Sequence, residues 1–263
     1  MFVAQIIAAL AVLGVCFVTF GALGRLSPCN PGQPVFFSKS IGLDLAYCAF
    51  GVVYAWVGPA FAGLMIAAGL LHAAPLGVAL ASAPLWAQLP ALLIATDFCQ
   101  YWLHRAFHLE SLWPYHAAHH SAREVNWTTT FRTHPVNYLV LNTALALLAR
   151  LIGFSEPALL IVGPIFFFTG ALAHANLDWT FGPLRFVIAS PVFHRWHHSL
   201  APDARETNYA PTFPIWDLMF GTFRMPMGER PQSFGAAGAP DDLLGQLAYP
   251  FAARPTQAAS AQP

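Results

Sequence analysis

Residues 85–108 read LWAQLPALLIATDFCQYWLHRAFH, a mostly apolar run that ends in two histidines. The part from 85 to 103 is close to the about 20 residues that a helix needs to cross a bilayer, and it ends directly at His104. Because residues four apart lie on one face of a helix, His104 and His108 can converge on one point. Since imidazole is the commonest protein ligand of transition metals, the segment predicts a membrane helix that carries metal ligands at its end.

Nine of the eleven histidines belong to three clusters and one isolated position. They are His104 and His108, then His116, His119 and His120, then the isolated His174, and finally His194, His197 and His198. The second and third clusters repeat the spacing His-x-x-His-His, in which adjacent side chains on a helix diverge by roughly a hundred degrees. Adjacent histidines therefore suit two neighbouring ions, about 3.5–4 Å apart, better than one shared ion. We predict one two-metal site with internal two-fold character and these nine residues as ligands.

Other origins of the histidines fit the pattern less well. A purification tag would be contiguous and terminal, and isolated surface or core histidines do not repeat a spacing. His134 lies in the motif Arg-Thr-His-Pro. It could be a metal ligand, or it could contact a ligand through a water molecule, and the sequence leaves both roles open. His72 ends an apolar run, and we expect an interfacial histidine there.

The composition indicates an integral membrane protein. Hydrophobic residues make up 57% of the 263-residue chain and charged residues 9%, against about a quarter charged in an average soluble protein. The mean hydropathy is +0.54. The formal net charge is zero and there is no basic tract, so nucleic acid is not an expected partner. The four cysteines lie mostly in apolar stretches without metal or redox spacing, and we expect reduced thiols.

Five apolar stretches predict four to five spanning helices: residues 2–23, 41–71, 85–103, 136–153 and 156–173. The first is expected to be an anchor, because it lacks the basic start and the cleavage site of a signal peptide. The second is interrupted by Gly58 and Pro59, and it could form one tilted span or two short re-entrant arms. The last two are expected to form a helical hairpin with its tip near Gly153.

Counting these spans brings the clustered histidines to one side of the membrane. The loop before the second span is flanked by Arg25 and Lys39, and the positive-inside tendency puts it in the cytoplasm. One crossing and one return then deliver His104 to the cytoplasmic face, and the hairpin returns His174 to the same face. We predict an all-α, polytopic transmembrane bundle with a cytoplasmic helical cap, residues 104–135 and 174–263, that holds the di-metal site.

Several motifs surround the histidines. They are YWLHR at 101–105, HAAHH at 116–120, FRTHP at 131–135, HAN at 174–176, HRWHHS at 194–199, NY at 208–209 and WDLMFGT at 216–222. Taken jointly, these motifs resemble the fatty acid hydroxylase/sterol desaturase superfamily of integral membrane di-metal oxygenases. The resemblance runs from about Leu89 to Thr222, roughly half of the chain. It divides the chain into an N-terminal membrane-spanning region (1–84), a hydroxylase-like catalytic domain (85–225) and a partly disordered C-terminal tail (226–263).

The chain departs from the family pattern at three positions. Asn137 stands where the family often has Glu, Glu206 where it often has Asp, and Ala210 where it often has Gly. These differences concern the surroundings of the ligands and the substrate subgroup, and they leave the histidines themselves unchanged.

The resemblance implies two iron ions, O2 as co-substrate, and a membrane lipid whose C–H bond is hydroxylated. Imidazole also suits zinc and copper, so iron rests on the resemblance. The chain carries no flavin or dinucleotide glycine fingerprint and no fused b-type cytochrome, which predicts a separate electron donor, a cytochrome or a ferredoxin with its reductase. The sequence does not indicate an oligomeric state.

Further polar residues are expected around the metals, because each ligating imidazole needs a partner for its other ring nitrogen. Asp97 is the foremost candidate, since an ionisable residue in an apolar run is usually functional. The other candidates for metal binding or for partners of the ligands are His134, Asn176, Asn208 and Asp217, with Glu124, Asp203 and Glu206 as further acceptors.

Two alternatives to hydroxylation stay open at the level of sequence. The same scaffold could desaturate a lipid or remove a methyl group oxidatively, because one hydrogen abstraction can lead to either outcome. A metal transporter or sensor is less consistent with the pattern, because a transporter should place its ligands along the spans near the midplane.

Overall fold

The computed structural model describes residues 2–69 and 80–252, and these residues form an all-helical protein. We number the α-helices α1 Phe2–Leu26, α2 Ile41–Ala67, α3 Leu85–Phe107, α4 Trp113–His120, α5 Pro135–Ile152, α6 Glu156–His174, α7 Pro191–His197, α8 Ile215–Phe220 and α9 Leu243–Ala248. Within the described ranges the only β-type pairing is an isolated bridge between Ser199 and Phe234. The predicted fold class is therefore confirmed.

Helices α2, α5 and α6 are long and apolar enough to cross a membrane. α2 runs unbroken through Pro59 to Ala67, so the described part of this stretch is one helix rather than two re-entrant arms. Its outer face exposes large apolar side chains, among them Val53 and Leu64, as expected where lipid replaces water. The other two predicted spans, residues 2–23 and 85–103, fall on α1 and α3, which are not among these three helices; the apolar segment found in α1 is the shorter Ala11–Leu26. Both stay predictions as membrane spans. His72 lies outside the described residues.

Close helix packing assembles the bundle. α5 ends at Gly153, whose φ of +90° is the left-handed conformation that favours glycine, and α6 begins three residues later, so the turn of the predicted hairpin lies where it was expected. α3 packs against this hairpin through Leu92, Ala149 and Val162, all buried. α2 approaches α5 at Gly58, where an added Cβ would lie 2.8 Å from the Cβ of Asn142.

The metal-binding motifs meet at one end of this bundle. α3 ends just beyond His104, α5 begins after His134, and α6 ends at His174. The side chains of His104 and His174 line one cavity, which brings the ends of α3 and α6 together there. The structure thus agrees with the spatial grouping that the span count predicted, and the side of the membrane stays a prediction.

The cap is built on the same end from short helices and loops. Asn30, in the loop between α1 and α2, exchanges two backbone hydrogen bonds of 2.9 and 3.0 Å with the Asn176 side chain, just after α6. Beyond residue 226 the chain folds back onto the cap, where the Gln246 amide donates to Ser121 Oγ at 2.8 Å. Residues 253–263 lie outside the described part, so the partial disorder of the tail stays a prediction.

A buried ion pair joins the membrane helices to the cap. Arg132 Nε donates to Asp44 Oδ1 of α2 at 2.8 Å, and the two side chains are 2% and 1% exposed. Thr128 donates to the second carboxylate oxygen, and Ser40 Oγ accepts from Arg132 Nη2 at 2.6 Å. The loop 121–134, which connects two histidine motifs, is therefore fixed to the start of α2.

Replacing Asp44 with alanine should destabilise the protein, because it leaves the Arg132 guanidinium buried and unpaired, a loss of about 3–5 kcal/mol. The matched control is Asp241→Ala, which removes the pair with Arg123, whose side chains are 70% and 75% exposed. An exposed pair contributes about 0–1 kcal/mol. The unfolding temperature in detergent should fall far more for Asp44→Ala, and equal shifts would show that the buried pair is not structural.

Candidate metal centre

The nine clustered histidines form two compact groups. The first histidine group consists of His104, His108, His116, His120 and His197, and the second consists of His119, His174, His194 and His198. In each group one ring nitrogen per residue lies within 4.8 Å of all the others. All nine predicted ligands are included, and no cysteine or carboxylate of the described residues joins either group.

Adjacent histidines belong to different groups, as the helical geometry predicts. His119 faces the second group and His120 the first, and their rings are 5.5 Å apart and nearly perpendicular. The pair at the end of α7 separates in the same way, with His197 in the first group and His198 in the second. Both copies of His-x-x-His-His therefore contribute to both groups, and the two-fold character is visible in the structure.

Hydrogen bonds at Nδ1 orient five of the nine imidazoles. The acceptors are the backbone oxygens of Tyr209 for His104 (2.8 Å), Arg132 for His119 (3.1 Å), Gly170 for His174 (2.7 Å) and Thr207 for His197 (2.7 Å), and Asn137 Oδ1 for His116 (2.9 Å). Because a carbonyl oxygen can only accept, Nδ1 carries the proton in each of these rings. The lone pair of Nε2 is then free to bind a metal.

The free Nε2 atoms face one another. In the second group, His174 Nε2 lies 3.0 Å from His194 Nε2 and 3.2 Å from both His119 Nε2 and His198 Nε2. In the first group, His197 Nε2 lies 3.1 Å from His120 Nε2, and the buried Nε2 atoms of His104, His108 and His116 have no hydrogen-bond partner. Nitrogens bound to one ion at about 2.0–2.1 Å are separated by about 3 Å, so the observed spacings fit a shared cation.

Burial favours the neutral form of six of these imidazoles. Desolvation, followed by repulsion from neighbouring imidazoles, lowers the pKa of six histidines of the cap well below the ordinary 6.5: His116, His119, His120, His194, His197 and His198. A neutral ring is the form that binds a metal, so at neutral pH the donor set is ready to accept cations.

Asp217 and Asn208 support the loop that orients His104 and His197. Asp217 accepts hydrogen bonds from the backbone N–H of Tyr209 (2.8 Å) and of Ala210 (2.9 Å). Asn208, at φ +58°, donates to the Phe193 carbonyl of α7 at 2.9 Å. Neither touches a ligand directly, and both fix the backbone whose carbonyls accept from the histidines.

The other predicted neighbours of the metals lie elsewhere. Asp97 accepts from Trp216 Nε1 (2.9 Å) and from the Phe213 N–H (3.1 Å), which fastens α8 to α3. Asn176 binds the α1–α2 loop. His134 joins neither group, because its Nδ1 accepts from the Val136 N–H at the start of α5 and its Nε2 lies 3.3 Å from the Leu247 carbonyl.

Of the acidic candidates only Glu206 approaches a ligand. Its Oε1 lies 3.7 Å from His108 Nδ1, and this interaction is the main reason that the pKa of Glu206 is lowered. Glu124 accepts from the Lys39 N–H at 3.0 Å, and Asp203 pairs with Arg224. The sequence did not predict that Asn137 contacts a metal ligand, although it marked this position as a departure from the family pattern. In the structure Asn137 accepts a hydrogen bond from His116.

A cavity of about 190 Å³ adjoins both histidine groups. Five ligands reach its wall: His104 and His116 of the first group, and His119, His174 and His194 of the second. The remaining wall is mostly apolar and includes Leu103, Phe107, Leu141, Phe166 and Pro211. The cavity lies between α3, α5 and α6, so a molecule inside it would contact both groups and the interior of the bundle.

Comparison with known proteins places this arrangement in a family. The model of the fatty acid hydroxylase family matches residues 89–222, just over half of the chain and the same segment that the motifs indicated. The chain belongs to the fatty acid hydroxylase family. The family and the buried imidazole cluster together indicate a metal centre and the use of O2.

Curated relatives of this family member act on different molecules, by their names. An ornithine lipid hydroxylase of Rhizobium tropici is 35% identical over 161 residues, which cover 60% of this chain and 49% of that protein. An alkylglycerol monooxygenase of Xenopus tropicalis is 34% identical over 131 residues, 49% of this chain and 29% of the relative. A very-long-chain aldehyde decarbonylase of Arabidopsis thaliana is 30% identical over 150 residues, which cover 51% of this chain and 23% of that protein.

The chain spans about half the length of the first of these relatives and less than a third of the other two. No solved structure matches it. The segment that the family model matches, residues 89–222, contains all nine histidines.

We expect the purified fatty acid hydroxylase family member to hold close to two metal ions per chain. His119→Ala and His197→Ala should each lower this content, because each removes a donor from a different group. The matched control is His134→Asn, which keeps a side chain able to cap α5 and touches neither group. Metal analysis of the three variants checks the assignment, and full metal content in both alanine variants would refute it.

The metal-free protein should lose stability as the pH falls. Because the folded-state pKa values are lowered, the unfolded chain binds more protons once the pH drops below about 6.5. Stability that is present above about pH 6.5 is therefore lost progressively as the pH falls below that value, and a titration from about pH 7 to pH 5 covers the onset of this loss. The unfolding temperature of chelator-treated protein across this range measures the effect, and a constant temperature would contradict neutral burial of the histidines.

Proposed function

We propose that this protein is a membrane-bound di-iron oxygenase that hydroxylates a C–H bond of a lipid with O2 and external electrons. The observation that carries the proposal is the apolar cavity whose wall contains ligands from both histidine groups. A C–H bond held there would lie beside both metals. The named activities of the relatives, ornithine lipid hydroxylase and alkylglycerol monooxygenase, support lipid as the substrate class.

Two irons would be held by the two histidine groups and would, when bound, supply the oxidising power of O2 for cleavage of an unactivated C–H bond. The protein contributes orientation and electrostatics. The acceptors at Nδ1 hold the rings of His104, His116, His119, His174 and His197 in place. The apolar wall, with Leu103, Leu141 and Phe166, excludes water and favours an aliphatic segment over a polar one along most of its surface.

The ion content and the metal identity belong to this proposal. Five donors in one group and four in the other suit two ions better than one. Imidazole nitrogen binds iron, zinc and copper alike, and iron follows from the oxygenase activity that we propose. Electrons would come from a separate cytochrome, or from a ferredoxin with its reductase.

We place the metal centre on the cytoplasmic side of the membrane. The α1–α2 loop follows Arg25 and contains Lys39, and positively charged loops favour the cytoplasm. This loop contacts the cap directly, since the Lys39 N–H donates to Glu124 and Asn30 binds Asn176 two residues after His174. The positive loop and the histidines therefore share one face.

Desaturation and oxidative demethylation are the second candidates, because they begin with the same hydrogen abstraction. The family includes relatives with another named outcome, the aldehyde decarbonylases. A transporter is disfavoured by the position of the histidine groups at the ends of α3 and α6 rather than along their length.

The proposal can be tested in host cells with and without the gene that are grown under isotope-labelled O2. Their lipid extracts are then compared. Hydroxylation should add one labelled oxygen atom to one lipid class, whereas desaturation should remove two hydrogen atoms and add no label. His197→Ala should abolish the product, and His134→Asn should retain it. An unchanged lipid pool under aerobic growth would overturn the proposal and favour a metal-handling role.

A further inference from the structure

The mostly apolar cavity also contains polar side chains other than histidine. They are Gln100 of α3, Thr130 and Thr133 of the loop before α5, and Asn137 of α5. The chain positions them on different elements around one small space. Apolar pockets with a few placed polar groups use those groups to fix the orientation of a ligand.

These groups have unused hydrogen-bonding capacity. Within residues 2–69 and 80–252, no protein atom makes a hydrogen bond with the Gln100 amide or with the hydroxyls of Thr130 and Thr133. Asn137 uses Oδ1 to accept from His116 Nδ1, which leaves both hydrogens of its Nδ2 without a protein acceptor. Since His116 must donate through Nδ1 to keep Nε2 free, this orientation of the amide follows from the metal site.

Gln100 is the most informative of the four. It lies four residues before His104, so it is on the same face of α3, one turn deeper in the apolar segment. Gln100 is half-buried and lines a mostly apolar wall, where a hydrogen-bond partner would stabilise its primary amide. Gln88, the other glutamine of α3, shows the usual solution, because its amide binds Ala83 O (2.7 Å) and the Ser155 N–H (2.9 Å).

The size of the cavity limits what can satisfy Gln100. About 190 Å³ is close to the volume of an engineered cavity of about 150 Å³ that holds one benzene molecule. The space therefore admits a short segment of a lipid beside the ligands. Any polar group that reaches Gln100 and Asn137 must then lie within a few bonds of a carbon that reaches His104 and His119.

We propose that Gln100 and Asn137 bind a polar linkage of the lipid, an amide, ester, ether or hydroxyl group, and so direct oxidation to carbons adjacent to that linkage. This inference rests on the proposed lipid oxidation and narrows it, because it excludes attack in the middle of a long acyl chain. The Asn137 amide donates to the linkage, Gln100 can donate or accept, and Thr130 and Thr133 complete the polar side. The apolar wall takes the adjoining methylene groups.

A binding experiment tests this without turnover. The metal-loaded protein in detergent is titrated with hexadecanamide and, separately, with heptadecane, and affinity is read from the concentration dependence of the unfolding temperature. One neutral hydrogen bond strengthens binding by about threefold to tenfold. Wild-type protein should therefore prefer the amide by at least about tenfold, and equal affinities would overturn the proposal because water would then satisfy the polar groups.

Gln100→Leu should lower the affinity for hexadecanamide by about threefold to tenfold and leave heptadecane unchanged. Gln232→Leu, the same substitution on the exposed surface of the cap, should change neither. Thr133→Val is the second variant should Gln100→Leu lose metal or unfold, and it should reduce the amide preference in the same direction. An unchanged preference in a folded, metal-loaded variant would show that these side chains do not select the ligand.

The position of the new oxygen atom in the oxidised lipid tests this proposal separately from the proposed function. In the lipid that wild-type protein oxidises, mass-spectrometric fragmentation should place the new oxygen beside the polar linkage, and Gln100→Leu should spread it over several carbons. Product in mid-chain would overturn this inference and leave lipid oxidation standing. If no lipid is oxidised but the amide preference holds, the proposed function fails and the polar subsite stands.

Discussion

The structure depends on bringing nine imidazoles together with their Nε2 atoms directed at one another. Lone pairs about 3 Å apart repel one another, and a cation between them would remove this repulsion, so the arrangement suits a receptor for metal. Five of the nine rings also give their Nδ1 proton to an acceptor, which leaves Nε2 as the nitrogen that binds. Much of the surrounding chain serves these two requirements.

The acceptors come mainly from the backbone, which explains the architecture of the cap. The carbonyls of Tyr209 and Thr207 belong to one loop, and Asp217 and Asn208 hold that loop against α7 and α8. The carbonyl of Arg132 belongs to another loop, and the ion pair of Arg132 with Asp44 ties it to α2. Side chains remote from the metals thus control the ligands through the backbone.

The same geometry connects the metal centre with the membrane. α3 and α6 place their last turns beside the cavity, and both continue into the apolar bundle. In the proposed reaction, only the short segment of the lipid that reacts would have to leave the bilayer. The few polar groups in the cavity become informative in this setting, because the Gln100 amide, the Thr130 and Thr133 hydroxyls and Asn137 Nδ2 have no hydrogen-bond partner within the described residues.

Much of the site could be predicted from the histidine spacing, because helical periodicity converts sequence separation directly into direction. His119 and His120 must diverge, and His104 and His108 must converge, whatever the rest of the fold does. The hairpin around Gly153 could be predicted for a similar reason, since apolar length and a glycine stop are local signals. Asp97 was expected beside the metals because an ionisable residue in an apolar run is usually functional, but it binds Trp216 and Phe213 instead.

The sequence by itself therefore determined the family, the apolar helices and the nine residues that gather at one site. Only the tertiary structure decided how these nine divide into groups of five and four, and which atoms orient them. The reason is that four of the five Nδ1 acceptors are backbone carbonyls, which every residue possesses and which no motif can mark. Their positions depend on loops that fold only when α3, α6 and α7 have met.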